Sequence, residues 1–228
     1  MDQVALMKRV DTKFVVRVNQ LPSILDAIHH TYQVLEIKEN RLMQYFTSYF
    51  DTEGFQFYNN HHRGRKKRAK VRLREYINSN INFIEVKQKN NKGQTIKRRI
   101  ISPKMASLGN MDSINTFYTK ILGHNIDLKL VICNEFDRFT LVNVAEQERI
   151  TIDTNIKFNG KLWNQELAII ELKQKKLNRN SAIFRQLKAL QIHPASISKY
   201  CLGMSTAYPA LKTNNFKPVF RNILKNIA

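Results

Sequence analysis

Apolar and polar residues alternate along most of this chain. Because successive side chains of a strand point to opposite faces, a period of two predicts β-strands. Eight strands joined mostly by short connections predict a largely antiparallel sheet that is closed or nearly closed on itself. The alternating segments are Arg9–Val18, Met43–Phe50, Lys70–Ile77, Asn82–Lys89, Thr95–Ile101, Val131–Val142, Arg149–Asp153 and Leu167–Lys175.

Helical spacing of apolar residues occurs between these segments. It predicts helices from Leu21 to Ile28, over 103–122, over 181–191 and over 198–207. A further stripe in 209–228 has Lys217, Arg221 and Lys225 beside it, which predicts a basic amphipathic tail or helix after a domain of residues 1–208. Two interpretations are open for this segment: a helix docked on the domain, or one that touches a membrane or a membrane protein partner. The stripe consists of Phe216, Val219, Phe220, Ile223, Leu224 and Ile227.

The polar faces of the strands are rich in lysine and arginine. In the third strand, Lys70, Arg72 and Arg74 share one face, opposite Val71 and Leu73. Six strands have a cationic face of this kind, and four of them also carry a carboxylate. If the apolar faces pack against helices, the charged faces must meet on the other side. We therefore predict an α+β fold: an antiparallel eight-stranded β-barrel or tunnel with a cationic lumen and helices packed outside.

The charge of the whole chain supports a polyanionic ligand. The formal net charge is +20, from 38 Lys and Arg against 18 Asp and Glu, which allows nucleic acid, an anionic membrane surface or a polyphosphate. Two unit charges 4 Å apart repel by about 4 kcal/mol at an effective dielectric constant near 20. The acids on the cationic faces, Asp11, Glu85, Asp153 and Glu171, are too few to neutralise such a lumen. A bound polyanion would neutralise the remaining positive charge.

Composition excludes several other classes of protein. Hydrophobic residues make up 43% of the chain, enough for a core. Two cysteines cannot form a disulfide framework or a four-thiolate zinc site. The adjacent pairs His29-His30 and His61-His62 cannot converge on one metal, and we expect His61 and His62 on the surface at a helix end. No apolar run approaches the ~18 residues of a membrane span, so we expect a soluble, cytoplasmic protein, with a peripheral position at the inner membrane face left open.

Carboxylates placed among cations also suggest a divalent metal. Mg²⁺ is usually held by one or two carboxylates together with substrate phosphates. Glu171 is the stronger candidate, because it lies between apolar neighbours on a strand where cations flank it on the same face. For Asp11 and Asp153, an internal salt bridge is an equally good interpretation.

Short motifs that contain these residues follow one another in a recognisable order. They are Arg9-Val-Asp-Thr-Lys-Phe14, Ser48-Tyr-Phe-Asp-Thr52, Lys70-Val-Arg-Leu-Arg-Glu-Tyr76, Phe83-Ile-Glu-Val-Lys87, Lys97-Arg-Arg99, Asp137-Arg-Phe-Thr140, Glu148-Arg-Ile-Thr-Ile-Asp153, Ile170-Glu-Leu-Lys173 and Ser198-Lys-Tyr200. Together they resemble the catalytic VTC domain, the vacuolar transporter chaperone polyphosphate polymerase of the triphosphate tunnel (CYTH-like) metalloenzyme superfamily. The resemblance covers residues 7–208, and its specificity comes from the order of the motifs.

The resemblance implies a metal-dependent phosphotransferase that moves phosphate from ATP to polyphosphate in a cationic tunnel. It implies a Mn²⁺ or Mg²⁺ ion on Glu171, ATP and polyphosphate as ligands, and no specific nucleic acid. The residues expected to act in catalysis are Arg72, Arg74, Lys87, Arg138 and Lys199. Those expected to bind phosphate are Lys13, Lys89, Lys97, Arg149, Lys173 and Ser198.

The chain also departs from the family pattern. Arg9 and Asp11 stand where the superfamily has two glutamates, which removes a metal ligand typical of the hydrolytic relatives and favours transfer. Phe136 replaces an aromatic hydroxyl, and Lys89 replaces a histidine of the eukaryotic enzymes.

Two alternatives to the polymerase stay open. One is a metal-dependent triphosphatase or polyphosphatase. The other is a non-catalytic protein that binds polyphosphate or nucleic acid, which the cationic run 63–70 would suit in part. That run does not explain why Glu85, Asp153 and Glu171 are placed among cations.

Overall fold

The strands carry the alternation that the sequence predicts. In the computed structural model, which describes residues 10–92, 94–102 and 111–225 (222–225 by backbone alone), they form one sheet of ten strands. All eight predicted strands are present, with ends that differ by a few residues; the two additional strands, β2 and β9, have two residues each. The strands are β1 (Val10–Arg17), β2 (Gln33–Val34), β3 (Leu42–Asp51), β4 (Arg68–Tyr76), β5 (Ile81–Lys89), β6 (Thr95–Ser102), β7 (Lys129–Asn143), β8 (Glu148–Phe158), β9 (Lys161–Leu162) and β10 (Leu167–Gln174).

The long strands are neighbours in the order β1, β10, β8, β7, β3, β4, β5, β6, and every pair is antiparallel. β2 pairs with β7, and β9 pairs with β8. No ladder joins β1 to β6 in the described part of the chain, so the sheet is open along that side. The sheet curls enough that the charge of Glu171 on β10 acts on Lys87 of β5. The predicted α+β tunnel is confirmed.

Six α-helices accompany the sheet in the described residues. The predicted helix over 103–122 is present from Met111 to Leu122, and its first eight positions lie outside the described residues. α2 contains the His61-His62 pair in its last turn, as expected, although its first residues carry no helical pattern. The helices are α1 (Leu21–Ile28), α2 (Gln56–His62), α3 (Met111–Leu122), α4 (Ala182–Ala189), α5 (Lys199–Ala207) and α6 (Lys217–Lys225).

Two of the three apolar clusters lie on the outer face of the sheet. In one, α1 and α4 cover β1, β8 and β10 through residues such as Ile24, Ile183 and Ile152. In another, α2 and α3 cover β4 and β5 through residues such as Tyr118 and Leu73. Because these apolar faces are buried under helices, the charged faces of the same strands are left to line the lumen.

The third cluster places α5 inside one end of the tunnel. α5 packs on inward residues of β1, β3, β7 and β10, such as Val15, Tyr49 and Ile169. Gly203 makes the approach possible, because a Cβ at this position would lie 2.6 Å from a ring carbon of Phe158. α5 therefore narrows the tunnel and brings its own first residues into the lumen.

The C-terminal segment lies against the same cluster. Phe216, Val219 and Phe220 are partly buried against it. The Tyr58 hydroxyl donates to the Lys212 carbonyl at 3.1 Å. No helix in the described chain is long and apolar enough to cross a membrane.

Candidate functional site

Alternate positions of seven strands place a dense set of cations on the inner face of the sheet. The register shows that these residues oppose one another across neighbouring strands, as Arg72 opposes Tyr49 and Glu85, and Lys87 opposes Lys97. Four carboxylates share this face: Asp11, Glu85, Asp153 and Glu171. The inward cations of the described chain are Lys13, Arg68, Lys70, Arg72, Arg74, Lys87, Lys89, Lys97, Arg99, Arg138, Arg149 and Lys173, with Lys199 at the start of α5.

Glu85 on β5 is shared between two of these cations. Its side chain is fully buried, and one oxygen accepts from the Arg72 guanidinium at 2.5 and 2.7 Å. Its other oxygen pairs with the Lys97 ammonium. Burial alone would raise the pKa of this carboxyl, but Arg72 and Lys97 outweigh burial and hold the pKa well below its usual range. Glu85 is therefore ionised at any physiological pH.

Asp153 on β8 has the same arrangement on the other side of the tunnel. Arg138 binds it with two parallel hydrogen bonds, of 2.5 Å to Oδ1 and 2.7 Å to Oδ2. The Lys199 ammonium of α5 also pairs with Oδ2. Although burial opposes ionisation, Arg138 and Lys199 lower the pKa of Asp153 to about 2. Of the two interpretations open from the sequence, Asp153 forms the internal salt bridge.

Glu171 on β10 lies between two lysines. Lys13 donates to Oε1 at 2.9 Å, and Lys173 donates to Oε2 at 2.8 Å. Burial would raise the pKa of Glu171, but the charges of Lys173, Lys13 and Arg138 bring it well below the ordinary value. The charge of Glu171 also acts on Lys87 of β5, from the opposite wall of the lumen.

Several inward cations, among them Lys70, Arg74 and Lys87, have no carboxylate within ion-pair distance among the described residues. Lys70 donates to the Ser198 hydroxyl at 2.7 Å, and Arg74 donates to Thr47 at 3.3 Å. Burial, reinforced by the charge of Arg72, lowers the pKa of Lys87 to about 6. A phosphate would supply the negative charge that these three groups lack.

Aromatic rings form one wall of the lumen. Tyr45 and Phe136 are stacked with ring centres 5.1 Å apart. The Arg138 guanidinium lies 5.1 Å from the Phe136 ring centre, and the Lys199 ammonium lies 4.4 Å from it. Phe136 therefore contacts two cations through its ring face.

Tyr49 is a lumen residue that the sequence did not single out for the site. Its ring is buried beside Tyr200, with centres 5.2 Å apart. Burial alone would raise the pKa of its hydroxyl, but Arg72, Arg74 and Lys70 outweigh burial and lower it. The alternation of β3 could have placed Tyr49 on the inner face, but its charged surroundings come from β4.

Asp51, at the end of β3, anchors the start of two helices. Its carboxylate accepts backbone N–H groups of Thr52 and Phe57 at 2.8 Å and of Tyr58 at 3.0 Å. It also accepts the Tyr200 hydroxyl at 2.5 Å. Because Tyr200 belongs to the first turn of α5, Asp51 holds the helix that delivers Ser198 and Lys199 to the lumen.

The predicted site residues are thus brought together on one surface. Lys89 lies at one end of the lumen opposite Arg68, and Arg149 lies towards the other end opposite Lys173. His61 differs from the surface position expected, because its Nε2 is buried. The roles of the site residues stay predictions; those on the inner face are Lys13, Arg72, Arg74, Lys87, Lys89, Lys97, Arg138, Arg149, Glu171 and Lys173, and those at α5 are Ser198 and Lys199.

A divalent metal fits this site only when it shares its coordination with a ligand. No group of three or more His, Cys, Asp or Glu side chains converges in the described residues, so an all-protein cage is absent there. Glu171 offers one carboxylate, whose present partners are two flexible lysines. A single carboxylate plus phosphate oxygens is an arrangement that Mg²⁺ accepts.

Comparisons with known proteins agree with this geometry. The VTC domain family model matches residues 8–208. A Hippeastrum protein described as an adenylyl cyclase with a dominant triphosphatase activity has a similar structure, with a TM-score of 0.58 at 12% identity over 88% of this chain and 96% of that one. A protein from Vibrio parahaemolyticus described as an adenylate cyclase has a TM-score of 0.50 at 16% identity over 86% and 97%. At these low sequence identities, the structural similarity shows a shared fold and nothing more. No curated protein matches the chain.

Proposed function

The chain belongs to the VTC domain family, and on that premise we propose that it is a metal-dependent phosphotransferase that moves the γ-phosphate of ATP onto a polyphosphate chain inside the tunnel. The observation that carries the proposal is the charge of the lumen. Its carboxylates Glu85, Asp153 and Glu171 are each shared by two cations, and further cations are left without a carboxylate.

Phosphoryl transfer suits such a lumen because it depends on positioning and charge stabilisation more than on a covalent catalyst. Arg72, Arg74 and Arg138 would hold the β- and γ-phosphates, with bidentate contacts where the geometry permits. Lys87 and Lys199 would neutralise the charge that develops on the transferred group. No general base is needed, because the terminal phosphate of the growing chain is already ionised when it attacks.

The remaining cations would hold the rest of the substrate. Lys13, Lys97 and Lys173 now neutralise Glu85 and Glu171 and can turn to phosphate oxygens without leaving the inner face. Ser198 offers a hydroxyl, and Lys89 and Arg149 extend the cationic surface toward the two ends. Glu171 would hold a Mn²⁺ or Mg²⁺ ion, whose contribution is to bind phosphate oxygens and neutralise their charge.

Hydrolysis of triphosphates is the second candidate. The Hippeastrum protein of similar structure is described as a triphosphatase, and water in place of the chain end would use the same cations. The choice between transfer and hydrolysis depends on which nucleophile reaches the γ-phosphorus.

The product distinguishes these functions. The protein is incubated with ATP and Mn²⁺, and a gel for polyphosphate is run beside an assay for free phosphate. A ladder of chains supports transfer, and orthophosphate alone would contradict it in favour of hydrolysis. If neither product forms and polyphosphate binds tightly, the protein acts as a non-catalytic binding protein.

Glu171→Gln tests the metal assignment. We expect loss of activity, whereas Glu166→Gln, a change at an exposed glutamate beside the same strand, should retain it. The second measurement is the metal affinity of each variant, obtained by titrating Mn²⁺ in the presence of tripolyphosphate. Full activity or unchanged metal affinity in Glu171→Gln would remove Glu171 as the ligand.

A further inference from the structure

Four exposed cations lie between α2 and β4, outside the lumen. We call Arg63, Arg65, Lys66 and Lys67 the basic ridge; all four side chains are exposed. None of them forms an ion pair with a described residue. Like charges at this density repel, so an anionic partner would stabilise the ridge.

The backbone of the ridge is held in place by the end of α2. The N–H groups of Arg63, Gly64 and Arg65 donate to carbonyls of that helix at 2.9, 3.1 and 3.0 Å. Gly64 has a φ of +64°, the left-handed conformation that commonly ends a helix. The Arg68 guanidinium then donates to the Arg65 carbonyl at 2.9 Å. The backbone from Arg63 to Arg65 is therefore fixed relative to α2 and β4.

The ridge continues the inner row of cations on β4. Alternate residues of that strand, Arg68, Lys70, Arg72 and Arg74, face the lumen, and Arg68 lies opposite Lys89. Side chains two apart on one strand are separated by roughly 7 Å. The cationic row therefore runs from the middle of the tunnel, through Arg68, directly to the ridge.

His61, in the last turn of α2, marks the junction between the two surfaces. Its Nε2 is buried without a hydrogen-bond partner. Burial and the charges of Lys70, Arg68 and Lys89 lower the pKa of this histidine to about 2. The cations at the end of the lumen are thus close to the helix turn from which the ridge begins.

The surroundings of the ridge favour a flexible polyanion over a membrane or a nucleic acid. Among the described residues 35–76, Leu42 on β3 is the one large hydrophobic side chain that is exposed. The segment that carries the ridge therefore offers no apolar side chain to insert into lipid or to stack on bases. In the nearby C-terminal segment, Phe216, Val219 and Phe220 are partly buried, and the Phe216 ring lies against His62. Charge without apolar contact suits a chain recognised by its phosphates alone.

We propose that the basic ridge is a second binding site for linear polyphosphate, which holds the part of a long chain that extends beyond the tunnel. The proposal rests on the proposed function of the tunnel. β4 has nine residues and spans roughly 30 Å. A triphosphate bound among Arg72, Arg74 and Arg138 would not reach the ridge, whereas a long chain would occupy both surfaces.

The test compares two ligands on three proteins. The ridge variant combines Arg63→Gln, Arg65→Gln, Lys66→Gln and Lys67→Gln. The control variant removes the same charge from exposed positions elsewhere: Lys161→Gln, Arg179→Gln, Arg185→Gln and Lys188→Gln. Affinities for tripolyphosphate and for long-chain polyphosphate are measured at several salt concentrations, with metal present.

We expect the wild-type protein to bind long chains more tightly than tripolyphosphate. The ridge variant should lose at least tenfold in affinity for long chains and keep its affinity for tripolyphosphate. Its slope of log K against log salt should become shallower by about 2–3, since each lost phosphate contact removes about 0.7. The control variant should resemble the wild type with both ligands.

Several results would overturn the proposal. Long-chain affinity unchanged in the ridge variant, or an equal loss for both ligands, would show that the ridge does not hold the chain. Binding of the same three proteins to anionic phospholipid vesicles is measured in parallel, and a ridge variant that lost vesicle binding alone would identify a membrane as the partner. If the wild-type protein bound long chains no more tightly than tripolyphosphate, the ridge proposal alone would be refuted. If it bound neither ligand, the proposed function of the tunnel would be refuted as well.

Discussion

Glu85→Gln should destabilise the empty protein and strengthen its binding of phosphate. The Glu85 side chain has no exposed surface, and it is the counter-ion of both Arg72 and Lys97. Glutamine keeps the shape of the side chain and one acceptor oxygen but removes the charge. The two cations would then stay in the lumen without their negative partner, close to Arg74 and Lys87.

The size of the effect follows from the burial of this carboxylate. Removing one partner of a buried ion pair costs about 3–5 kcal/mol, because the other charge is left uncompensated. For a chain of this length, 1 kcal/mol changes Tm by about 2–4 °C, so we expect a decrease of roughly 10 °C. A bound triphosphate supplies the missing charge, and its affinity should rise at least tenfold, which corresponds to about 1.4 kcal/mol.

The assay is thermal unfolding with and without tripolyphosphate, in low salt. The control is Glu36→Gln, which removes a glutamate that also pairs with an arginine at 2.7 Å, here Arg41. Because both of those side chains are substantially exposed, that change should cost about 1 kcal/mol or less. Both variants remove a glutamate whose oxygen accepts from an arginine Nε at 2.7 Å. They differ in burial and in the second cation, Lys97, that Glu85 holds.

Two results would refute this reasoning. If the ligand-free Tm of Glu85→Gln matched that of Glu36→Gln, the lumen charges would be screened by solvent and the carboxylate would not stabilise the empty tunnel. If tripolyphosphate raised the Tm of Glu85→Gln by no more than that of the wild type, Glu85 would serve to position Arg72 for phosphate, and removing it would misplace the cation.

Three further predictions concern single positions. Lys87, with its pKa lowered to about 6, is neutral at pH 8 in the empty tunnel and should take up a proton when phosphate binds. Calorimetry at pH 8 in two buffers of different ionisation enthalpy should show this uptake, and Lys87→Met should reduce it. A binding heat that is the same in both buffers for the wild-type protein would contradict the prediction. Gly203→Ala puts a Cβ 2.6 Å from the Phe158 ring and should cost about 1–3 kcal/mol of unfolding free energy, measured in urea, while Gly54→Ala, with no atom within 4 Å, should cost far less. Asp51→Asn weakens hydrogen bonds to three N–H groups and a tyrosine hydroxyl and should cost a similar free energy of unfolding, measured in urea. An unchanged free energy of unfolding would contradict the anchoring role of this carboxylate.

The strands and their inner faces were predictable because alternation is a local property. The inward set on β4, Lys70, Arg72 and Arg74, follows from the period of two alone. The helices that cover the outer faces were also predictable where apolar spacing is regular, as in α1 and α4. The order of the strands was not, because the pairing of β1 with β10 joins residues 10–17 to 167–174, and no local pattern encodes it.

The features that the sequence did not define either lack a local pattern or depend on partners that are distant in the chain. α2 consists of Gln-Phe-Tyr-Asn-Asn-His-His, which has few strong helix formers. It begins there because Asp51, at the end of the preceding strand, accepts the N–H groups of Phe57 and Tyr58. From the sequence, Phe136 could be interpreted only as the loss of a hydroxyl, because Arg138 and Lys199 contact its ring only once β7 and α5 have packed together.

The internal carboxylates explain how so cationic a tunnel folds before it has a ligand. Glu85, Asp153 and Glu171 each hold two cations in the lumen and stay ionised because those cations depress their pKa values. In each case one of the paired cations is a lysine, whose single charge and flexible stem can turn from carboxylate to phosphate at little cost. Binding of a polyanion would then exchange one set of ion pairs for another within the same wall. These three acids therefore hold six lumen cations in place in the empty protein, and the cations that they leave uncompensated are the ones most available to phosphate.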